Sequence, residues 1–247
     1  MLQNPAKKMN IFKNIINRIN RKEELTIKFL VEECLSNVTD LKYLSTFKFK
    51  KSIKTYTRKT DFGFYKIEIE IFKTFDSERN ELAICLRPIF CIRFNELSKW
   101  FEKFSFKTIS DQRNNGQVYF EGLTKKEYLL LESGKNFKSD YKLFKDSLEK
   151  DAELIFSKYK TLNDYYNLEV LPILENRKEM NDNGADWIFE MLYATKIVES
   201  ERYSELKEKI KERIEYMVKR NEPNISQYIE KFDDIYRNIE KSKSTIA

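Results

Sequence analysis

Seven cations and no acid fall within residues 41–60: Lys42, Lys48, Lys50, Lys51, Lys54, Arg58 and Lys59. Phe47, Phe49 and Tyr56 are interleaved with them. A cationic strand pair carrying aromatics can follow a phosphate backbone and stack on bases, which makes Lys48, Lys50, Lys51, Lys54, Arg58 and Lys59 candidate nucleic-acid ligands. The same pattern also suits an edge strand whose lysines face water and block edge-to-edge pairing while the aromatics pack inward.

Two other groups could do chemistry. Glu68 and Glu70 alternate along one strand, so they project from one face about 7 Å apart. With Asp61 upstream and Lys66 or Lys73 nearby, they could outline a metal-dependent nuclease centre. The spacing matches no defined motif, and a solvated strand face explains it as well, so no metal ligand and no catalytic residue is assigned. Arg87 and Arg93 share a strand face with Ala83, Cys85, Ile89 and Cys91. A buried Arg there needs an acidic partner or a ligand, whereas one at the strand's exposed end needs neither.

Composition narrows the options further. The chain has no histidine, which removes Ser-His-Asp and Cys-His triads and His-dependent zinc sites. Cys34, Cys85 and Cys91 form no Cys-x-x-Cys pair, and Cys85 and Cys91 stand about 20 Å apart on one strand, too far to bridge. An odd count with no framework suits a reducing cytoplasm. With 5 Gly, the chain has no glycine-rich phosphate loop. Residues 1–60 hold 14 Lys/Arg and 5 Asp/Glu, a surplus of +9 that leaves the remainder near −3. No apolar run approaches the ~20 residues of a membrane span. Lys13, Arg18 and Arg21 interrupt any signal-peptide core.

The elements that must position these residues read as follows. Residues 10–37 have a helical apolar period, with a break near Asn20. Residues 45–59 read as one or two strands turning at Lys50-Lys51-Ser52, and Asp61-Phe62-Gly63 as a turn in which Gly63 supplies positive φ. Phe64–Ile71 alternates apolar and charged residues. Leu82–Phe94 is apolar on both faces, with Pro88 predicting a bulge or an unpaired edge. Asp76–Asn80 is the hairpin loop between them. Asn95 caps a helix of about ten residues. Asn114-Asn115-Gly116 turns into a strand at Gln117–Phe120, and Glu127–Glu132 fits either strand or helix. From Ser139 the period becomes helical, with Phe144, Leu148, Ala152, Ile155 and Phe156 on one stripe. Helices follow at Leu162–Glu175, with Asn163 as cap and a kink or a break at Pro172, then around Trp187–Thr195, Tyr203–Met217 and Ile225–Ile239. Asn181–Gly184 and Asn221-Glu222-Pro223 separate them, and Lys241–Ala247 frays.

Residues 47–94 and 150–195 together resemble the bacterial family numbered 4304 among the domains of unknown function. The likeness rests on Phe47-Lys48-Phe49-Lys50-Lys51 followed by Tyr56 and Arg58, two apolar strands, and Leu171-Pro172-Ile173-Leu174-Glu175 after a helix. The chain departs from the family in lacking the Gln and Asn of its middle strands. The resemblance implies an α+β domain with helices after the sheet, and it transfers no catalytic residue.

The expectation is therefore an α+β protein. A predominantly antiparallel sheet of four or five strands spans residues 45–122 within a domain at 1–135, and a helical segment covers 139–247. The expected function is a non-enzymatic cytoplasmic binding or adaptor protein, of the immunity-protein kind by analogy, that covers a protein partner and uses no cofactor. The other reading is a nucleic-acid-binding protein that uses the basic N-terminal half.

Overall fold

The computed structural model describes residues 25–180, 185–221, 225 and 229–242. The readings for residues 10–24, for Asn181–Gly184, for Glu222-Pro223 and Tyr228, and for most of the tail lie outside the described residues. Among the rest, the chain is α+β with an antiparallel sheet, as its periodicity requires.

Helix α1 (Ile27–Phe29) starts at Thr26, whose hydroxyl accepts from the Phe29 N–H, and runs on as a π turn over Leu30–Cys34 and a 3₁₀ turn over Leu35–Asp40. The sheet follows: β1 (Lys48–Lys50), β2 (Thr55–Lys59), β3 (Gly63–Asp76) and β4 (Glu81–Phe94). Then come α2 (Asn95–Phe101), α3 (Ile109–Asn114), β5 (Val118–Phe120), β6 (Tyr128–Leu131) and α4 (Phe137–Phe156). The strand order is β1-β2-β3-β4-β5, with β6 also paired to β4. The sheet thus has six strands and reaches Leu131, one more strand than the four or five expected by residue 122. Residues 127–132, ambiguous in sequence, hold β6, and α3 had no apolar stripe to announce it.

The chain forms two compact units. Unit 1 comprises residues 1–60, 64–91 and 118–157, and unit 2 comprises 61–63, 92–117 and 158–247. Neither boundary falls at 135–139: α4 belongs with the sheet, and residues 92–117 belong with the later helices.

In unit 1 the alternation of β3 buries Tyr65, Ile67 and Ile69. The α4 stripe Phe144, Leu148, Ala152, Ile155 and Phe156 is buried as well. Tyr65 stacks on Phe156 with centroids 4.4 Å apart, and its hydroxyl donates to the Phe156 carbonyl. The Tyr56 and Tyr141 hydroxyls donate to the Leu35 and Cys34 carbonyls, so each buried hydroxyl satisfies a carbonyl of the irregular turns after α1. Pro88 does not interrupt β4. It lies just past the β6 ladder, which ends at Leu86, and before Ile92, whose carbonyl accepts from the Gln117 N–H. Its missing N–H therefore falls in a gap between ladders.

Unit 2 corrects three local expectations. Gly63 does not have positive φ. Glycine is needed there because a Cβ would overlap the Arg93 carbonyl. Asn95 does not cap α2: Phe94 occupies the N-cap without a side-chain bond, and Asn95 Oδ1 instead accepts from Arg93 Nε at 3.2 Å. Helix α5 (Leu162–Tyr165) is capped not by Asn163 but by Thr161, in a capping box with Asp164. A π turn at Tyr166–Val170 follows, then α6 (Leu171–Leu174) with Pro172 in its first turn, where a missing N–H costs little. Helices α7 (Ala185–Val198), α8 (Tyr203–Lys219) and α9 (Phe232–Glu240) complete the unit. Trp100 stacks on Tyr193 at 4.2 Å and donates from its indole to Asn238.

Candidate functional site

The basic hairpin is positioned by register. Lys48 pairs with Thr57 and Thr57 with Lys66, while Lys50 pairs with Thr55 and Thr55 with Glu68. Directly paired residues share a face, so Lys48 and Lys50 project from one side of the sheet, and Lys59, two residues beyond Thr57, projects from the same side. All three are exposed. β1 stands at the end of the strand order, so this is a cationic sheet edge.

The other cations of the cluster are elsewhere. Arg58 pairs with Tyr65 on the opposite face, where its guanidinium lies 4.8–4.9 Å from the ring centres of Tyr43, Phe47 and Tyr65. It also donates to the Tyr43 hydroxyl and to Thr46 Oγ1. Lys51 belongs to the 3₁₀ turn between β1 and β2 and pairs with Glu32 at 3.1 Å. Lys54 takes the left-handed conformation that closes the turn, and its carbonyl accepts from the Ile69 N–H. The structure therefore brings together Lys48, Lys50 and Lys59, and separates Arg58, Lys51 and Lys54 from them.

The interleaved aromatics pack inward. Phe47 is 4 % exposed and Tyr56 fully buried, and Phe49 stacks on Tyr56 at 4.6 Å. None of the three offers a free ring face beside the lysines, so the surface presents charge without a stacking platform.

Glu68 and Glu70 are each committed to a cation, Glu68 to the buried Lys66 at 2.7 Å and Glu70 to Arg87 at 3.2 Å. Among the described residues no group of three His, Cys, Asp or Glu side chains could hold a metal ion. Arg87 also pairs with Glu127, so its acidic partners come from β3 and from the residue just before β6. Arg93 is buried and needs neither acid nor ligand: its guanidinium donates to the Gln112 and Asn115 carbonyls and to Asn95. The three thiols form no disulfide and are buried. Burial pushes Cys34 up to about 12 and Cys85 up to about 11, which keeps both protonated and unreactive at neutral pH.

A second site, in unit 2, had no motif. Glu190 on α7 is 8 % exposed and its Oε1 accepts from Gln117 Nε2 at 2.9 Å. Gln117 Nε2 also donates to Ser98 Oγ, and its Oε1 accepts from the Phe94 N–H, so that amide is fully used. Burial raises the Glu190 carboxyl to about 7, and neighbouring Asp186 adds to the shift; Gln117, Lys107 and Arg93 oppose it. One local signal existed. Glu190 is the only charged residue between Trp187 and Thr195, a helical stretch otherwise apolar nearly all round.

No protein-family model, curated protein or solved structure matches the chain. None of the described helices is long and apolar enough to cross a membrane.

Proposed function

We propose that this is a non-enzymatic binding protein that docks the acidic face of a folded protein partner against the β1–β2 edge, in the manner of an adaptor or immunity protein. The observation that carries the reading is the one-sided display of Lys48, Lys50 and Lys59, with the neighbouring aromatics turned into the core. Such an edge offers complementary charge, which speeds docking and sets orientation, and a rigid sheet beneath it that can cover a partner's working surface. It offers no stacking contact, which favours an acidic protein over single-stranded nucleic acid. The carboxylates on the same face support binding over catalysis, because Glu68 and Glu70 are already neutralised by Lys66 and Arg87.

The test compares capture from nuclease-treated native lysate by the wild type, by a Lys48→Glu, Lys50→Glu, Lys59→Glu triple variant, and by a Lys142→Glu control on α4. Support requires one acidic protein held stoichiometrically by wild type and control, released by salt, and lost from the triple variant. Equal capture by all three refutes the proposed surface. In a parallel capture from untreated lysate, recovery of nucleic acid, with an affinity that falls with log salt at a slope near −0.9 per phosphate, about −2.7 for three lysines, replaces the reading with backbone binding.

A further inference from the structure

Strand β3 runs on past the end of its neighbour β2. Their ladder stops at Glu68, opposite Thr55, and the Lys54 carbonyl then accepts from the Ile69 N–H. That bond fixes which backbone groups of β3 point toward the β2 side. They are those of Ile69 and, by the alternation of a strand, those of Ile71, Lys73 and Phe75. The other side agrees. The Phe62 carbonyl accepts from Asn95, the residue after β4, so the even-numbered residues aim at β4. No described strand lies beside β3 beyond Ile69 on the β2 side, and the peptide groups of Ile71 and Phe75 therefore face an open edge. The side chains of this end are exposed too. Phe75 is 56 % exposed, Phe72 on the other face 36 %, and Leu82 across the hairpin 53 %, whereas Tyr65, Ile67 and Ile69 along the ladder are buried. A row of backbone donors and acceptors with apolar side chains on both faces is completed by one kind of partner, another extended chain.

We propose that the open edge of β3 at Ile71–Phe75 docks an extended apolar peptide segment of another protein, which adds to the sheet as a strand and carries an acidic residue opposite Lys73. Residues directly across a ladder share a face, so the incoming chain meets Ile71 and Phe75 with apolar side chains and meets the exposed Lys73 ammonium between them with a carboxylate. A second copy of this chain fits poorly. The two-fold register that uses both Ile71 and Phe75 sets one opposite the other, and it then sets Lys73 opposite Lys73 and Glu70 opposite Asp76, like charges directly across the ladder. Lys73 thus deters self-pairing, as a lysine on an edge strand does, and favours an acidic partner strand. The edge holds none of Lys48, Lys50 and Lys59, and the proposal does not rest on docking at the β1–β2 edge.

The experiment uses the full wild-type chain and follows amide hydrogen exchange along β3 by NMR. The probe is a capped peptide, Val-Thr-Glu-Thr-Val between serines. One comparison peptide has lysine in place of the glutamate, and another is N-methylated at both valines, the positions that would donate to the Ile71 and Phe75 carbonyls. The expected result is a saturable slowing of exchange at Ile71 and Phe75 with none at Phe72 and Thr74, whose N–H groups face β4. The lysine peptide should bind about twofold to fivefold more weakly, the range of one cross-strand charge pair, and the N-methylated peptide should protect nothing. Slow exchange at Ile71 and Phe75 in the chain alone would mean that the chain already covers the edge, and slowing that grows with protein concentration would mean a second copy. Either overturns the proposal, as does equal slowing at all four residues, equal binding of the glutamate and lysine peptides, or no slowing at all. The Lys48→Glu, Lys50→Glu, Lys59→Glu triple variant should respond to the probe as the wild type does, so failure here and failure of the β1–β2 docking reading are told apart.

Discussion

The Arg93 carbonyl oxygen occupies the space in which a side chain on Gly63 would begin. The Asn95 N–H donates to the Phe62 carbonyl alongside, at 2.8 Å, so two backbone segments meet at contact distance. Glycine is required here by proximity, since its backbone lies where any residue could sit.

Gly63→Ala should therefore force the segments apart and cost about 3 kcal/mol, the upper range for overpacking. Urea denaturation measures it. A loss below about 0.5 kcal/mol would mean that the two segments separate freely.

Asp151 is buried and accepts from the Leu123 and Thr124 N–H groups at 2.9 and 3.1 Å, and from the Thr124 hydroxyl. It holds the loop through Gly122, whose φ is +93°. Asp151→Asn replaces an all-acceptor carboxylate with an amide that presents donors to donors. The expected cost is about 2–3 kcal/mol, with faster amide exchange at residues 122–125. Unchanged exchange would show that the loop closes without Asp151.

Arg58 lies among three aromatic rings on the inner face. Arg58→Ala should destabilise unit 1 by about 1–2 kcal/mol, and Arg58→Lys should recover only part, because the planar guanidinium is what fits between the rings. Partner capture through Lys48, Lys50 and Lys59 should survive either change under conditions where the variant is folded. Loss of capture from a folded Arg58→Lys variant would place Arg58 in the binding surface.

Burial raises the Glu190 carboxyl from its usual 4.5 to about 7. The folded state then holds a proton that the unfolded chain releases between those values, so Glu190 makes stability fall as pH rises across that window and level off above about 7. The full effect is about 3 kcal/mol. Glu190→Gln should remove this slope in chemical denaturation run at a series of pH values. A slope that persists in the variant assigns the titration to another group.

With Cys34, Cys85 and Cys91 buried and the first two held protonated, an alkylating reagent at about pH 8 should label no thiol in the folded chain and three after denaturation. Rapid labelling of Cys85 in the folded protein would reveal local opening of β4.

Where each residue's role depends on near neighbours, the sequence was readable. Tyr65, Ile67 and Ile69 alternate because a strand has two faces, and Phe144 to Phe156 recur because a helix has one buried stripe. Parity also separates Arg58 from Lys59, adjacent in sequence and opposite in the sheet. What depended on distant neighbours was hidden. Glu190 meets an amide 73 residues away, Gly63 is constrained by Arg93, and Arg93 finds its carbonyls in the loop around Asn115. The caps were misread for a related reason. Asn95 and Asn163 have capping side chains, but Asn95 is drawn away by Arg93, and Thr161 with Asp164 starts the helix two residues earlier.

The π turn at Tyr166–Val170 carries one residue more than an α-helical path would use, and its closing bond runs from the Leu171 N–H back to the Tyr166 carbonyl. In an uninterrupted helix from Leu162, the Pro172 ring would press on the Leu168 carbonyl four residues back. The wider turn relieves that pressure. Insertion and proline are thus two halves of one accommodation, and in the history of the chain neither is readily lost alone. A lineage that deletes a residue here should also replace the proline, and one that keeps the proline should keep the length.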